Sequence, residues 1–205
     1  MIFLVFFSAK SLMAQHLSIG PTAGIGHSWI STDNENTNNK SRFHPAYNVG
    51  VKLVYSILSN WGLSTDVKFS SEGGTRGVDK DNKTIARINY LRIPIQGIYF
   101  FGKYGDKVRP KISIGPSFGF VVGGKNKEYQ NGNLISSVDI KPLVNSFDIG
   151  LNAAVGANIR VCKKTWLNAD ITYYNGFKNI NTNSAVNNKN RGLGLNIGVL
   201  FPLGK

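Results

Sequence analysis

The stretch SFDIGLNAAVGANIRV, residues 146–161, alternates apolar and polar side chains along its whole length. Phe147, Ile149, Leu151, Ala153, Val155, Ala157, Ile159 and Val161 share one face, and Asp148, Gly150, Asn152, Ala154, Gly156, Asn158 and Arg160 share the other. A period of two puts successive side chains on opposite faces of a β-strand. The same period recurs in HLSIGPTAGIGHSWI (16–30), AYNVGVKLVYSIL (46–58), WGLSTDVKFSSE (61–72), INYLRIPIQGIYFF (88–101), PKISIGPSFGFVV (110–122), WLNADITYYNGF (166–177) and RGLGLNIGVLFPL (191–203). No segment of helical period interrupts these eight strands.

The connections alternate as well. STDNENTNNKSR, GGTRGVDKDNKT, GGKNKEYQNGNLISSVDIKP and KNINTNSAVNNKN are long and polar, whereas LSN, GKYGDK and CKK are short. Consecutive antiparallel hairpins gather all long loops at one end of the sheet. An even strand number returns both ends of the sheet to the short-turn side. The pattern predicts an all-β fold, an eight-stranded antiparallel up-and-down barrel with short periplasmic turns and long extracellular loops.

The faces decide between a membrane barrel and a soluble, lipocalin-like barrel that binds a small ligand inside. A soluble barrel needs a charged, water-facing exterior. Here the polar face is mostly Gly, Ser, Asn and Thr, as in Ser18, Gly20, Thr22, Gly24 and Gly26 or Gly194, Asn196 and Gly198. Small residues suit the crowded lumen of an eight-stranded barrel. The charges on this face carry both signs: Lys52, Asp66, Lys68, Arg92, Asp148, Arg160 and Asp170. Buried charges must pair, so these seven are expected to form a structural lumen network. Aromatic residues fall near both strand ends, with Tyr55, Tyr99, Phe101 and Phe201 at the short-turn side. Trp29, Tyr47, Phe69, Phe120, Phe147 and Tyr173 lie at the other side. Paired aromatic girdles belong to membrane barrels.

Composition refines the picture. The 205 residues suffice for one domain, and a single cysteine, Cys162, excludes an intramolecular disulfide framework. The formal charge of +13 raises the question of nucleic acid. The cations, however, read as lying in connections: Lys40, Arg42, Lys125 and Lys127 in long ones, Lys103, Lys107, Arg109, Lys163 and Lys164 in short ones. That placement argues for no nucleic acid and for lipid head groups as the anionic partner. Lys40, Arg42, Lys125 and Lys127 are the candidate contacts to lipopolysaccharide. The N-terminal MIFLVFFSAKSLMA reads as a secretory signal, residues 1–14, cut after Ala14. Residues 15–205 then form the barrel domain, in the cell outer membrane.

Several motifs carry a family resemblance. YLRIP (90–94) resembles the Tyr-Leu-x-Ile-Pro signature of the PorT-like outer-membrane β-barrel family of Bacteroidetes. SIGPSFGF (113–120) resembles the Gly-Pro strand that follows it there, and KNRGLGLNIGVLFPL the closing strand. The resemblance implies an eight-stranded outer-membrane barrel and, through the founding member, an association with type IX secretion and its envelope partners. Pro94 lacks an amide donor and is expected to mark a local bulge.

Catalytic and metal chemistry is not read from this chain. His16, His27 and His44 fit no metal-ligand spacing. GPTAGIG enters no helix and so is no phosphate loop. No serine lies in a nucleophile-elbow context. Asp148 and Asp170 fit lumen ion pairing better than a carboxylate pair for hydrolysis. The reading is therefore a non-catalytic outer-membrane barrel with a filled lumen and no cofactor. Beside it stand the soluble or periplasmic ligand-binding barrel and, more weakly, an outer-membrane enzyme that modifies lipid.

Overall fold

The computed structural model describes residues 17–32, 40–103, 105–162, 164–182 and 187–203. The leader, His16, Lys163 and the side chain of Lys40 lie outside the described residues. The strands are β1 (Leu17–Thr32), β2 (Lys40–Arg42), β3 (Pro45–Ser56), β4 (Trp61–Gly77), β5 (Lys83–Phe100), β6 (Val108–Gln130), β7 (Asn133–Asp139), β8 (Phe147–Cys162), β9 (Thr165–Gly176) and β10 (Asn188–Pro202). A single 3-10 turn, Lys141–Leu143, follows β7.

Eight of the strands form a closed antiparallel ring in the order β1–β3–β4–β5–β6–β8–β9–β10, with β10 returning to β1. Closure keeps one register from Ser18 opposite Pro202 to Thr32 opposite Asn188, with a gap in pairing at Gly20 and Pro21. At the foot of this seam the Leu203 amide donates to the Leu17 carbonyl at 2.8 Å. The connections at that end are residues 57–60, 101–107 and 163–164.

The opposite end differs from the sequence expectation. GGTRGVDKDNKT is not a loop. β4 runs on to Gly77 and β5 begins at Lys83, leaving only 78–82 as a turn. GGKNKEYQNGNLISSVDIKP likewise continues β6 and pairs back as β7. Alternation persists through both stretches, but their polar composition hides it. β2 adds a short rung to the extended edge of β4. The bulge expected at Pro94 is absent: Pro94 pairs with Ser117 in the same register as its neighbours, and the register shifts instead between Asn89 and Tyr90.

The two faces of the ring divide as their chemistry requires. Ile25, Val49, Ile95, Ile114, Val155, Ile171, Leu195 and Ile197 all point outward and are exposed, Ile25 at 70%. Lys52, Asp66, Arg92, Lys111, Asp148 and Asp170 are buried inside. An apolar belt around a whole protein far exceeds the few hundred Å² of contiguous apolar patch that a soluble monomer exposes. The soluble, ligand-binding barrel is thereby overturned. Among the described residues no helix is long and apolar enough to cross a membrane. The chain crosses with strands.

Aromatic contacts border the belt. Trp61 meets Tyr99 edge-on at 5.0 Å, and Tyr99 meets Phe101 at 5.1 Å, on the short-turn side. Phe120 meets Phe147 at 5.3 Å and Trp29 meets Tyr173 at 6.4 Å on the other.

Val155 sits mid-strand opposite Ile112 and Ile171, 52% exposed. Val155→Lys is expected to lower stability in lipid vesicles by roughly 2–4 kcal/mol, as a cation facing the bilayer centre does. Reversible urea unfolding followed by tryptophan fluorescence measures it.

Candidate functional site

An eight-stranded ring is narrow enough for side chains to fill, and here they do so with charge. On β5, Arg92 donates through Nε and Nη2 to Glu72 of β4 at 2.5 and 2.6 Å. Its Nη2 also reaches Asp148 of β8 at 2.9 Å. The Tyr174 hydroxyl donates to the same Asp148 oxygen at 2.8 Å, Ser70 donates to Glu72 at 2.7 Å, and the Asn190 amide completes the Glu72 shell. The guanidinium lies 4.5 Å from the Tyr90 ring centre and 4.0 Å from that of Tyr174. Below it, Lys52 sits 3.2 Å from Asp66 and 3.8 Å from Asp170, Lys111 is 2.5 Å from Asp170, and Lys68 is 3.9 Å from Asp66.

Lys52, Lys68, Arg92 and Lys111 balance Asp66, Glu72, Asp148 and Asp170, four charges against four. Neutrality matters because an unpaired ion taken out of water costs several kcal/mol. Glycine makes room for these bulky groups. A Cβ at Gly119 would lie 2.8 Å from Arg92 Nη1, and one at Gly156 would overlap both the Ala169 carbonyl oxygen and Asp170 Oδ1.

Six of the seven lumen residues read from the sequence, Lys52, Asp66, Lys68, Arg92, Asp148 and Asp170, therefore meet in space. Arg160 does not join them. It lies near the short-turn end with its guanidinium 5.8 Å from the Trp166 ring centre. Asp148 and Asp170 fall in different groups, Asp148 held by Arg92 and Asp170 by Lys111 and Lys52. Sequence reasoning missed Glu72, Lys111, Tyr174 and Asn190. Glu72 shares the parity of Asp66, Lys68 and Ser70, and Lys111 that of Ser113, so strand parity was the available signal. Arg109, assigned to a turn, lies instead in β6 and is buried, stacked 4.0 Å over Phe100 and donating to the Ser59 carbonyl.

Apolar clusters close both ends of this polar interior. At the short-turn end Val54, Ile98, Phe100 and Leu200 pack together with Trp166 against them. At the other end Ile88 and Tyr90 receive Ile140, Val144 and Ile180 from the two connections flanking β8 and β9. Those connections are tied to one another. The Asn145 amide donates to the Ile180 carbonyl at 2.8 Å, and the Asn145 side chain donates to the carbonyls of Asn179 and Asn181 at 2.8 and 3.0 Å. Between the clusters remains a cavity of about 70 Å³ beside Lys68, Glu72, Arg92 and Tyr174. That is room for about two waters.

At the rim of the β4 extension, His44 is fully buried and its Nδ1 lies 2.9 Å from the Thr75 hydroxyl. The His44 amide donates to His27 Nδ1 at 3.1 Å. Burial, reinforced by the nearby Arg87 cation and by His27, lowers the His44 pKa to about 4. Among the described residues no three histidines, cysteines or carboxylates assemble as a metal set.

The candidate lipopolysaccharide contacts scatter. Arg42 caps the β4 extension, donating to the carbonyls of Gly77 and Val78 at 3.3 and 2.9 Å. Lys125 and Lys127 lie on β6, not in a loop.

A closed antiparallel ring, apolar outside and ionic inside, is an integral β-barrel of the outer membrane, the one sheet form that leaves no backbone unpaired in lipid. Residues 13–182 match the family model described as outer membrane protein beta-barrel domain, and the chain belongs to that family. Solved structures agree in fold. OprG from Pseudomonas aeruginosa is 14% identical, with 90% of this chain and 94% of that one covered at a TM-score of 0.56. Neisserial surface protein A is 16% identical over 91% and 97%, and outer membrane protein W of E. coli 12% identical over 92% and 97%, each at 0.50. None of the curated proteins matches.

Arg92→Met leaves Glu72 and Asp148 without their cation, so a loss of about 3–5 kcal/mol is expected. Arg92→Met with Glu72→Gln should recover part of it, as urea titration of both barrels will show. His44 binds fewer protons folded than unfolded between about pH 4 and 6.5, so its contribution to stability is whole above 6.5 and lost as pH falls toward 4. Amide exchange at His44 and Ser28, corrected for intrinsic rates, should rise over that window and stay flat in His44→Gln.

Proposed function

We propose that the protein is a non-catalytic, sealed barrel with a structural or accessory role in the outer membrane, its extended hairpins outside the cell and its short turns in the periplasm. The observation that carries this reading is the lumen. It holds a neutral network of eight ionised side chains between two apolar plugs, with a cavity of about 70 Å³ in between. Such an interior offers neither a continuous water path nor an open site for a substrate. Work is left to the surfaces: the protruding β4–β5 and β6–β7 hairpins on one side, the turns on the other. The resemblance of YLRIP and SIGPSFGF to the PorT-like family supports a place beside envelope proteins of type IX secretion.

The purified barrel in planar bilayers is expected to give no resolvable conductance steps. Phe100→Ala combined with Leu200→Ala, which empties the short-turn plug, is expected to raise leakage only slightly, because the Ile140–Val144–Ile180 plug remains. Stable ohmic steps from the unmodified protein would overturn the sealed reading. A deletion strain that secretes type IX cargo normally would remove the secretion link and leave the sealed barrel standing.

A further inference from the structure

The register shift near Asn89 changes which side chains of β6 face outward. Below it, Leu91 pairs with Phe120 and Ile93 with Phe118, so even-numbered residues of β6 point to lipid. Tyr90 then pairs with Val121 inside, while Asn89 pairs with Gly123, leaving Val122 as the extra residue. Above it, Arg87 pairs with Lys125, Ile85 with Lys127 and Lys83 with Tyr129. Odd-numbered residues of β6 now point outward. Without the bulge, Gly124, Asn126 and Glu128 would hold the positions of Lys125, Lys127 and Tyr129. The extra residue thus brings Lys125 and Lys127 onto the face that already carries Lys83 and Arg87.

Arg87 and Lys125 are held directly opposite one another, an arrangement that is destabilising for like charges on neighbouring strands. Among the described residues none of these four cations forms an ion pair with a carboxylate. Asp139 faces Lys125 from β7, where its Oδ1 accepts the Lys141 amide at 2.9 Å. Arg87 is braced by Ser71 at 3.2 Å and lies 5.8 Å from the Tyr47 ring centre. A groove of about 390 Å³ runs between the strands, lined by Arg87, Asn89, Gly124, Lys125, Lys127 and Tyr129. Leu91 and Phe120, the last pair of the apolar belt here, lie four residues below Arg87, about 13 Å along the strand and less in height because barrel strands tilt. The polar layer of a leaflet is about 5–8 Å deep, so long cationic side chains at this level meet the phosphates of neighbouring lipid.

We propose that this groove is a binding site for the phosphate groups of glycolipid in the outer leaflet around the barrel. The site rests on the orientation given above, with the extended hairpins outside. It keeps Lys125 and Lys127 from the expected lipopolysaccharide contacts, adds Arg87 from the groove wall, with Lys83 beyond the groove on the same face, and leaves out Arg42, whose guanidinium is committed to backbone carbonyls. Two opposed cations sharing one phosphate exchange a repulsion for two charge-assisted hydrogen bonds.

Native mass spectrometry of the full chain, released from nanodiscs of phosphatidylcholine doped with diphosphoryl lipid A or its dephosphorylated form, tests the proposal. The unmodified barrel is expected to retain the phosphorylated lipid alone. Lys125→Gln with Lys127→Gln, and the triple variant adding Arg87→Gln, should retain it about tenfold less or weaker still. Arg42→Gln should match the unmodified barrel. Heat-modifiable migration confirms that each variant is folded, and the double variant touches only the extension beyond the ring. Equal retention of the dephosphorylated lipid, unchanged retention in the folded double variant, or displacement by millimolar inorganic phosphate as effective as by lipid A would overturn the site. Orientation is read separately, by labelling Asn131→Cys on intact cells in a Cys162→Ser background. Failure of that labelling with lipid retention intact overturns the outer-leaflet assignment and leaves only a groove that binds lipid phosphate.

Discussion

A strand placed in hydrocarbon has no water to satisfy its amides, so each must find a carbonyl on a neighbouring strand. An open sheet leaves two edges unsatisfied. The pairing of β10 with β1 removes both at once, and the rest of the molecule follows from that closure. Eight strands closed into a ring fix a narrow interior. The alternation of each strand then sends one set of side chains into lipid and the other into a space too small to hold much water.

What fills that space must be small, paired or both. Gly119 and Gly156 yield volume to Arg92 and Asp170. The eight charged groups pair within and between strands, and three of the pairs join strands distant in sequence: Arg92 with Asp148, Lys111 with Asp170 and Lys52 with Asp170. Each alone in this interior would be prohibitive. Together they cross-brace β3, β4, β5, β6, β8 and β9 from inside, where hydrogen bonds between neighbouring strands do not reach. The apolar clusters at both ends exclude solvent from these pairs, which strengthens them.

Beyond the apolar belt the same strands continue into water, and the constraint on their outer face changes from apolar to polar. β5 and β6 make that change with a single extra residue. The bulge near Asn89 resets the parity of β6, so that Phe118 and Phe120 face lipid while Lys125 and Lys127 face outward above them. A bulge is conservative of pairing and radical for side-chain direction, since one residue exchanges the two faces of a strand.

The fold was legible in the sequence because the solvent of each face writes itself into every second residue: Val155 and Ile171 could not face a polar lumen, nor Asp148 lipid. Lys52, Asp66, Lys68, Arg92, Asp148 and Asp170 were legible as interior by parity alone. Three things were not. The hairpin extensions kept strand geometry without an apolar face, so the 73–84 and 123–142 stretches looked like loops. The position of the bulge, at Asn89 and not at Pro94, depends on how two strands match, which neither strand records. The partners of each lumen charge, and the exclusion of Arg160, depend on which strands become neighbours and at what height. Alternation along the chain thus determined the barrel and its inside-out polarity, because it is a local consequence of the environment on each side. Ring closure and register alone decided the ion pairs, the plugs and the cationic groove, because these join residues that only the closed sheet brings to the same level.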